Sequence, residues 1–225
     1  MKIAGIVLAR MDSSRFPGKP LAPVGSKVLL DFVIERANRI PGLDSIVIAT
    51  SSRAIDDPLE HFADGVSTYC FRGDGENVAN RALSCAQQIG ADYFVRLNGD
   101  SPYLLPELIS EGLTKLRAEQ PDLVSNIFPR TFPYGISLEI VNTETLAVAL
   151  PHFTVFESEH LTSHFYANSQ NFKILNISAA TEYDTSARMV VDTPQDFETF
   201  SKVVSKMREN FITATLPQIL RHLVP

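Results

Sequence analysis

Lys2-Ile3-Ala4-Gly5-Ile6-Val7-Leu8, followed by Ala9-Arg10-Met11-Asp12-Ser13-Ser14-Arg15-Phe16-Pro17-Gly18-Lys19-Pro20-Leu21, decides how this 225-residue chain is read. After Lys2 the first segment is apolar and partly β-branched, the pattern of a strand buried on both faces. The second puts three cations, two hydroxyls and a glycine into the loop that leaves that strand. Arginine offers a planar fork of donors to phosphate oxygens and lysine a point charge, so Arg10, Arg15 and Lys19 suit a polyanionic ligand, with Ser13 and Ser14 as hydroxyl donors. A solvated basic loop is the plainer alternative, and its place directly after a buried first strand favours phosphate binding. It is not a Walker A loop: Pro20 follows Gly18-Lys19 and the first glycine is missing.

Outward from this stretch, strands and helices alternate. Val28 to Ile40 carries apolar residues at helical period and is stopped by Pro41-Gly42. Ser45 to Thr50 reads as a second strand, Pro58 to Ala63 as a short helix, Ser67 to Phe71 as a third strand and Glu76 to Ile89 as a helix. Tyr93 to Leu97 is a fourth strand, and Pro106 to Ala118 a helix with proline in its first turn. This rhythm predicts a parallel sheet covered on both faces, with the ligand crevice at the carboxyl ends of its strands. The rhythm falters near Ile127 to Gly135, which predicts an excursion such as a lid or a dimer arm. Strands are then expected at Ile136 to Val141, Lys173 to Ser178 and Ala187 to Val191, and helices at Thr143 to Ala149, Glu157 to Tyr166 and Pro194 to Met207. With no Ser/Gly linker, residues 1–225 read as one domain.

Composition narrows the function. A net charge of −6 argues against broad nucleic-acid binding, which needs excess cations to displace counterions. The apolar run at Met1 to Leu8 is too short for a signal h-region or a membrane span. Two cysteines point to a reducing compartment rather than a disulfide framework. The expectation is a cytoplasmic protein with no membrane contact.

Further chemistry lies at later strand ends. Asp100 follows Asn98-Gly99 after the fourth strand, and Asp192 ends another predicted strand just before Pro194. Two carboxylates at strand ends suit Mg²⁺, a hard cation that keeps waters and phosphates as its other ligands. The alternatives are local: Asp100 capping the turn to Ser101-Pro102, and Asp192 or Thr193 capping a helix with Asp196 in its first turn. Glu159 and His160 are further candidate ligand contacts. His160 and His164 stand one turn apart, but no third zinc ligand is evident.

Leu8 to Leu21 resembles the signature of the cytidylyltransferases that activate acidic sugars, the CMP-KDO and CMP-acylneuraminate synthetases and their spore-coat-polysaccharide relatives. The resemblance continues in order through Phe71-Arg72-Gly73, Val95 to Pro102, Arg130 to Gly135, Glu159 to Thr162 and Val190 to Asp196, and its block layout is nearest the spore-coat branch. It implies a Rossmann-like three-layer α/β/α fold of the nucleotide-diphospho-sugar transferase type, mostly parallel, with a small excursion near residues 127–140. It implies transfer of CMP from CTP to an acidic sugar with Mg²⁺ on Asp100 and Asp192, in a homodimer. The backbone at Leu8 and Ala9 would read the pyrimidine, with Arg72, Asn98 and Asp100 also on the nucleotide side; Arg72 has the alternative of pairing with Asp74 or Glu76. Arg130, a fork suited to a carboxylate, and Glu139 would face the sugar. Asn77, Asn80 and Ser137 depart from residues usual in the relatives and leave the acceptor open. A transferase using another nucleotide, a glycosyltransferase and a non-catalytic nucleotide-binding module are the rival readings.

Overall fold

The computed structural model describes residues 1–223. β1 (Ile3–Leu8) is followed by the basic loop and a small antiparallel ribbon of β2 (Pro23–Val24) and β3 (Lys27–Val28). Then come α1 (Leu29–Ala37), β4 (Ser45–Ser51), α2 (Asp57–Gly65), β5 (Tyr69–Gly73), α3 (Val78–Gln88), β6 (Tyr93–Asn98) and α4 (Pro106–Glu119). The second half holds β7 (Leu123–Ser125), β8 (Glu139–Asn142), α5 (Thr143–Ala149), α6 (Val155–Glu159), α7 (Ser163–Ala167), β9 (Ile174–Asn176), α8 (Pro194–Met207), α9 (Asn210–Thr213) and α10 (Leu216–Leu223).

Seven strands form one sheet in the order β5-β4-β1-β6-β8-β7-β9. β5, β4, β1 and β6 are parallel; β8 runs antiparallel to both β6 and β7, and β7 pairs parallel with β9. Alternation along β1 sends Ile3 and Val7 into one core and Ala4 and Ile6 into the other. The first core is closed by α1, α2, α4 and α8 to α10, the second by α3, α5 and α7, giving three layers. The expected α/β class with a mostly parallel sheet is the fold observed.

Three expectations change. Glu157 to Tyr166 is not one helix: a capping box at Thr154 starts α6, and His160 leaves helical geometry (φ −115°, ψ 66°) before α7 begins. Ala187 to Val191 is not a strand. It makes one bridge, Tyr134 to Arg188, and its other backbone bonds reach loops: Met189 N–H to Tyr134 O at 2.7 Å and Val191 N–H to Asp100 O at 2.9 Å. Finally, β7 and the closing helices α9 and α10 were not anticipated, being short segments with few turns of pattern to read.

The excursion between β7 and β8 is held by Asn126. Its side chain donates to Ile136 O at 3.1 Å and accepts from Leu138 N–H at 2.8 Å. Gly135 (φ +98°) brings the loop against Met189, whose carbonyl oxygen would lie 2.3 Å from any Cβ placed there. These contacts, with Val191 N–H on Asp100 O, set the segment carrying Asp192 beside Asp100.

Candidate active site

The carboxyl ends of β1 and β6 open into a cleft of about 350 Å³, its floor at Leu8 and Ala9 and its walls formed by the basic loop, α3, β6 and the α6–α7 break. Gly99 makes the close approach possible: a Cβ there would fall 2.8 Å from that of Ala9, and its N–H donates to Leu8 O at 2.9 Å. The loop folds back on itself through Gly18 (φ +74°), whose N–H reaches Met11 O at 2.8 Å, so that Lys19 starts a 3₁₀ turn directed inward. Phe16 anchors the loop edge-on against Phe197 of α8 at 5.4 Å.

The cations are met by carboxylates from distant parts of the chain. Lys19 Nζ, on a buried side chain, donates to Asp100 Oδ2 at 2.5 Å and Asp192 Oδ1 at 3.2 Å. Arg15, largely exposed, donates to Asp192 Oδ1 at 3.1 Å. Arg10 donates to Gly75 O and to Glu159 Oε1, both at 2.8 Å. The capping alternatives divide: Asp100 and Asp192 meet the cations of the basic loop, while Thr193 with Asp196 takes the cap of α8. The turn after Asp100 is closed by Ser101 N–H on Asn98 O, and α8 is capped by Thr193 with Asp196 in a capping box, which leaves the Asp192 carboxylate to Lys19 and Arg15, with Arg188 3.8 Å from its other oxygen.

Leu8, Ala9, Arg10, Ser13, Ser14, Arg15, Lys19, Asn98, Asp100, Glu159 and His160 all line this one cleft. Asp192 joins it through Lys19 and Arg15. Three other expected residues lie outside its lining. Arg72 is bound to Asp57 and Glu60 of α2, at 2.6 Å each, and to the carbonyls of Ser51 and Arg53; its partners are neither Asp74 nor Glu76. Arg130 is held within its own loop by the carbonyls of Pro133 and Ile136. Glu139 is 2% exposed and reaches the cleft only through Arg96. Asn77 is the N-cap of α3, accepting from Asn80 N–H at 2.7 Å, which accounts for an amide there.

Sequence reasoning missed two arginines of the cleft, Arg81 and Arg96. Each carried a signal: Arg81 falls on the apolar stripe of α3 and Arg96 inside a strand that is otherwise apolar up to Leu97. Burial, and then the nearby charge of Arg10, lower the Arg81 guanidinium to about 10. It missed Asp56 as well, a fully buried carboxylate that accepts from Met11 N–H at 2.7 Å and from the Ser51 hydroxyl, pinning the start of the basic loop.

The residues present fit a hard divalent cation. Asp100 and Asp192 already share one positive charge, the Lys19 ammonium, and both offer oxygen donors at the edge of the cleft. Among the described residues no cluster of three or more His, Cys, Asp or Glu converges, so these two would bind such an ion together with water and phosphate ligands.

A three-layer α/β sheet with a basic loop after β1 and two carboxylates facing it defines a nucleotidyltransferase. A cytidylyltransferase family model matches residues 4–216, and the chain belongs to that family. It is 29% identical over 212 residues to the spore coat polysaccharide biosynthesis protein SpsF of Bacillus subtilis, spanning 91% of this chain and 87% of that one. It is 32% identical over 167 residues to the 8-amino-3,8-dideoxy-manno-octulosonate cytidylyltransferase of Shewanella frigidimarina, 73% of this chain and 64% of the other. Among solved structures, a cytidylyltransferase from Leptospira borgpetersenii superposes with a TM-score of 0.92 at 27% identity over 98% of this chain and 93% of that chain. A CMP-2-keto-3-deoxy-manno-octonic acid synthetase in complex with CTP shares the fold, with a TM-score of 0.68 at 20% identity over 92% of this chain and 99% of the other.

Proposed function

We propose that the protein transfers CMP from CTP to a hydroxyl of an acidic, octulosonate-like sugar, releasing pyrophosphate and a proton, in the synthesis of a surface polysaccharide. The observation that carries this reading is the meeting of Arg10, Arg15 and Lys19 with Asp100 and Asp192 in one cleft. The activity of the Shewanella relative, on an amino-dideoxy-octulosonate, supports the acceptor class. The backbone at Leu8 and Ala9 is the candidate floor for the base, with Ser13, Ser14 and Asn98 along the nucleotide.

Phosphoryl-type transfer asks the protein for position and charge stabilisation. Arg10, Arg15 and Lys19 would exchange their carboxylate partners for phosphate oxygens and hold the charge that builds on the leaving pyrophosphate. Asp100 and Asp192 would hold Mg²⁺, which when bound polarises the reacting phosphate. Glu159 and His160, at the α6–α7 break, would border the acceptor. Free Cys70 and Cys85, raised by burial to about 11 and about 12, are inert thiols compatible with a cytoplasmic setting. Among the described residues no helix is long and apolar enough to cross a membrane. Phe128 and Tyr134, 42% and 44% exposed on the excursion, support a homodimer arm there.

The test is pyrophosphate release from CTP, ATP, GTP and UTP with Mg²⁺ and a panel of octulosonic and nonulosonic acids. CTP alone should turn over at high rate and should raise the melting temperature most, because it binds only the folded state. Equal response to all four nucleotides would remove the cytidylyl assignment.

A further inference from the structure

Arg96 stands where the strand asks for an apolar side chain. Val95 and Leu97 on either side are buried in one core, and Phe94, two residues back on the face of Arg96, is buried in the other. Arg96 Nη1 donates to Glu139 Oε2 at 2.5 Å. Glu139 also accepts from the Tyr166 hydroxyl at 2.8 Å, and that hydroxyl lies 2.8 Å from Ser125 Oγ. The resulting chain joins β7, α7, β8 and β6 and ends at the cleft wall, where the Arg96 side chain is 19% exposed. Among the described residues Glu139 is the one acceptor it finds, and its Nε is left without a partner.

Stability does not explain this arrangement, since an apolar pair of similar volume serves a core as well or better than a buried ion pair. What the chain of contacts does achieve is a fixed guanidinium with donors to spare, beside the reacting groups. The other candidate arginines are differently placed. Arg10 and Arg15 ride on the basic loop, Arg81 is 1% exposed, and Arg130 is occupied within its own loop.

We propose that Arg96, clamped by Glu139, is the residue that selects an acceptor carrying a carboxylate, the role first expected of Arg130. This rests on the cytidylyl-transfer reading given above. A carboxylate would meet the unused donors of a guanidinium already oriented by Glu139, and a neutral sugar would leave them buried and unpaired.

The experiment titrates the full chain, with Mg²⁺ and a CTP analogue carrying a methylene bridge between the α and β phosphorus atoms, against 3-deoxy-manno-octulosonate and its methyl ester. The wild type should bind the acid roughly tenfold to a hundredfold tighter than the ester, the range of a charged hydrogen bond. Arg96→Gln should reduce that preference to within about threefold while leaving the affinity for the analogue unchanged on the same scale, and Arg130→Gln should keep it. If Arg96→Gln fails to fold with Glu139 unpaired, Arg96→Gln/Glu139→Gln removes both charges together and must show the same loss. Retention of the acid preference by either variant overturns the assignment. So does a wild type that binds the analogue but shows no preference, or binds neither sugar, and that result leaves the cytidylyl reading standing. A wild type that does not bind the analogue overturns that reading and this proposal with it.

Discussion

At the loop end of the cleft, Arg10, Arg15 and Lys19 meet Glu159, Asp192 and Asp100 through one or two contacts each. At the strand end, Arg96 and Glu139 meet inside a chain of hydrogen bonds that crosses four elements. The first set includes a side chain as open as Arg15, 63% exposed, whereas Glu139 is sealed at 2%. The Arg10–Glu159 and Arg15–Asp192 contacts, each with an open member, can be traded for phosphate oxygens with little cost, because exposed ion pairs contribute at most about 1 kcal/mol, whereas the buried Lys19 is held by two carboxylates at once. Those of the second kind are expensive to break, so they hold a group in place instead of releasing it. One end of the cleft is therefore arranged to exchange charge and the other to fix it.

The sharpest way to break this contrast is to remove carboxylates at the exchanging end. Asp100→Asn and Asp192→Asn should each lower kcat by orders of magnitude, on the scale of several kcal/mol of lost transition-state stabilisation, measured as pyrophosphate release under saturating CTP. Folding stability should fall by only about 1 kcal/mol for Asp100→Asn, the more open carboxylate, and by about 1–3 kcal/mol for the buried Asp192→Asn, since Lys19 keeps the other carboxylate as partner in each. A large loss of stability with modest loss of rate would mean that Asp192 holds the fold together and does not serve the reaction.

The fixing end should respond in the opposite way. Glu139→Gln leaves Arg96 without its counter-charge and should cost about 3 kcal/mol by urea unfolding, the usual effect of removing one member of a buried pair. Glu159→Gln, taken at the exchanging end, should cost at most about 1 kcal/mol. Equal costs for the two variants would erase the distinction.

The two ends were also unequally visible in the sequence. The basic loop follows an unbroken apolar run and Asp100 a strand interrupted only by Arg96 before its polar end, so their position at the carboxyl ends of β1 and β6 follows from the βα rhythm alone. Asp192 was found without a correct strand: its placement comes from Val191 N–H on Asp100 O, a contact between residues far apart in the chain that no local period encodes. The fixing end depends on β7 and β8, a three-residue and a four-residue strand, joining an antiparallel branch to the parallel sheet. That pairing turns Glu139 toward Arg96. Arg130 drew attention as an arginine in a recognisable block, and its carbonyl partners became visible only with the loop folded. The misplacement of Arg72 has the same origin, because Asp57 and Glu60 reach it from another element, α2.

Asp56 tests whether the exchanging end also needs a fixed foundation. Its buried carboxylate takes the Met11 N–H at 2.7 Å and the Ser51 hydroxyl, and Arg53, 3.9 Å away, pairs in turn with Asp12 of the loop. Asp56→Asn keeps the shape but loses charge-assisted bonds, and should destabilise by about 1–3 kcal/mol. A displaced loop should raise KM for CTP while leaving the affinity for octulosonate nearly intact. If KM for CTP does not change, the loop is held by its own Gly18 turn and Asp56 is a core residue only.

The smallest effect separates two aspartates four residues apart. Asp192 faces the cleft, whereas Asp196 accepts from the N–H groups of Asp192 and Thr193 and pairs with Arg188. Burial works to raise the Asp196 carboxyl, but the Arg188 pair and these backbone bonds outweigh it and hold the group below its ordinary range. A carboxylate whose folded value is depressed contributes stability above its unfolded value, about 3.9, and loses that contribution as pH falls through the folded value. Asp196→Asn should therefore lower stability at neutral pH by about 1 kcal/mol, through loss of the capping charge, and should leave kcat unchanged. Below pH 4 the urea midpoints of wild type and variant should converge, because protonation removes from the wild type what the substitution removed from the variant. Curves that stay parallel down to pH 2 would show that the charge of Asp196 contributes nothing. A variant that loses turnover at neutral pH would instead move the catalytic carboxylate from Asp192 to Asp196.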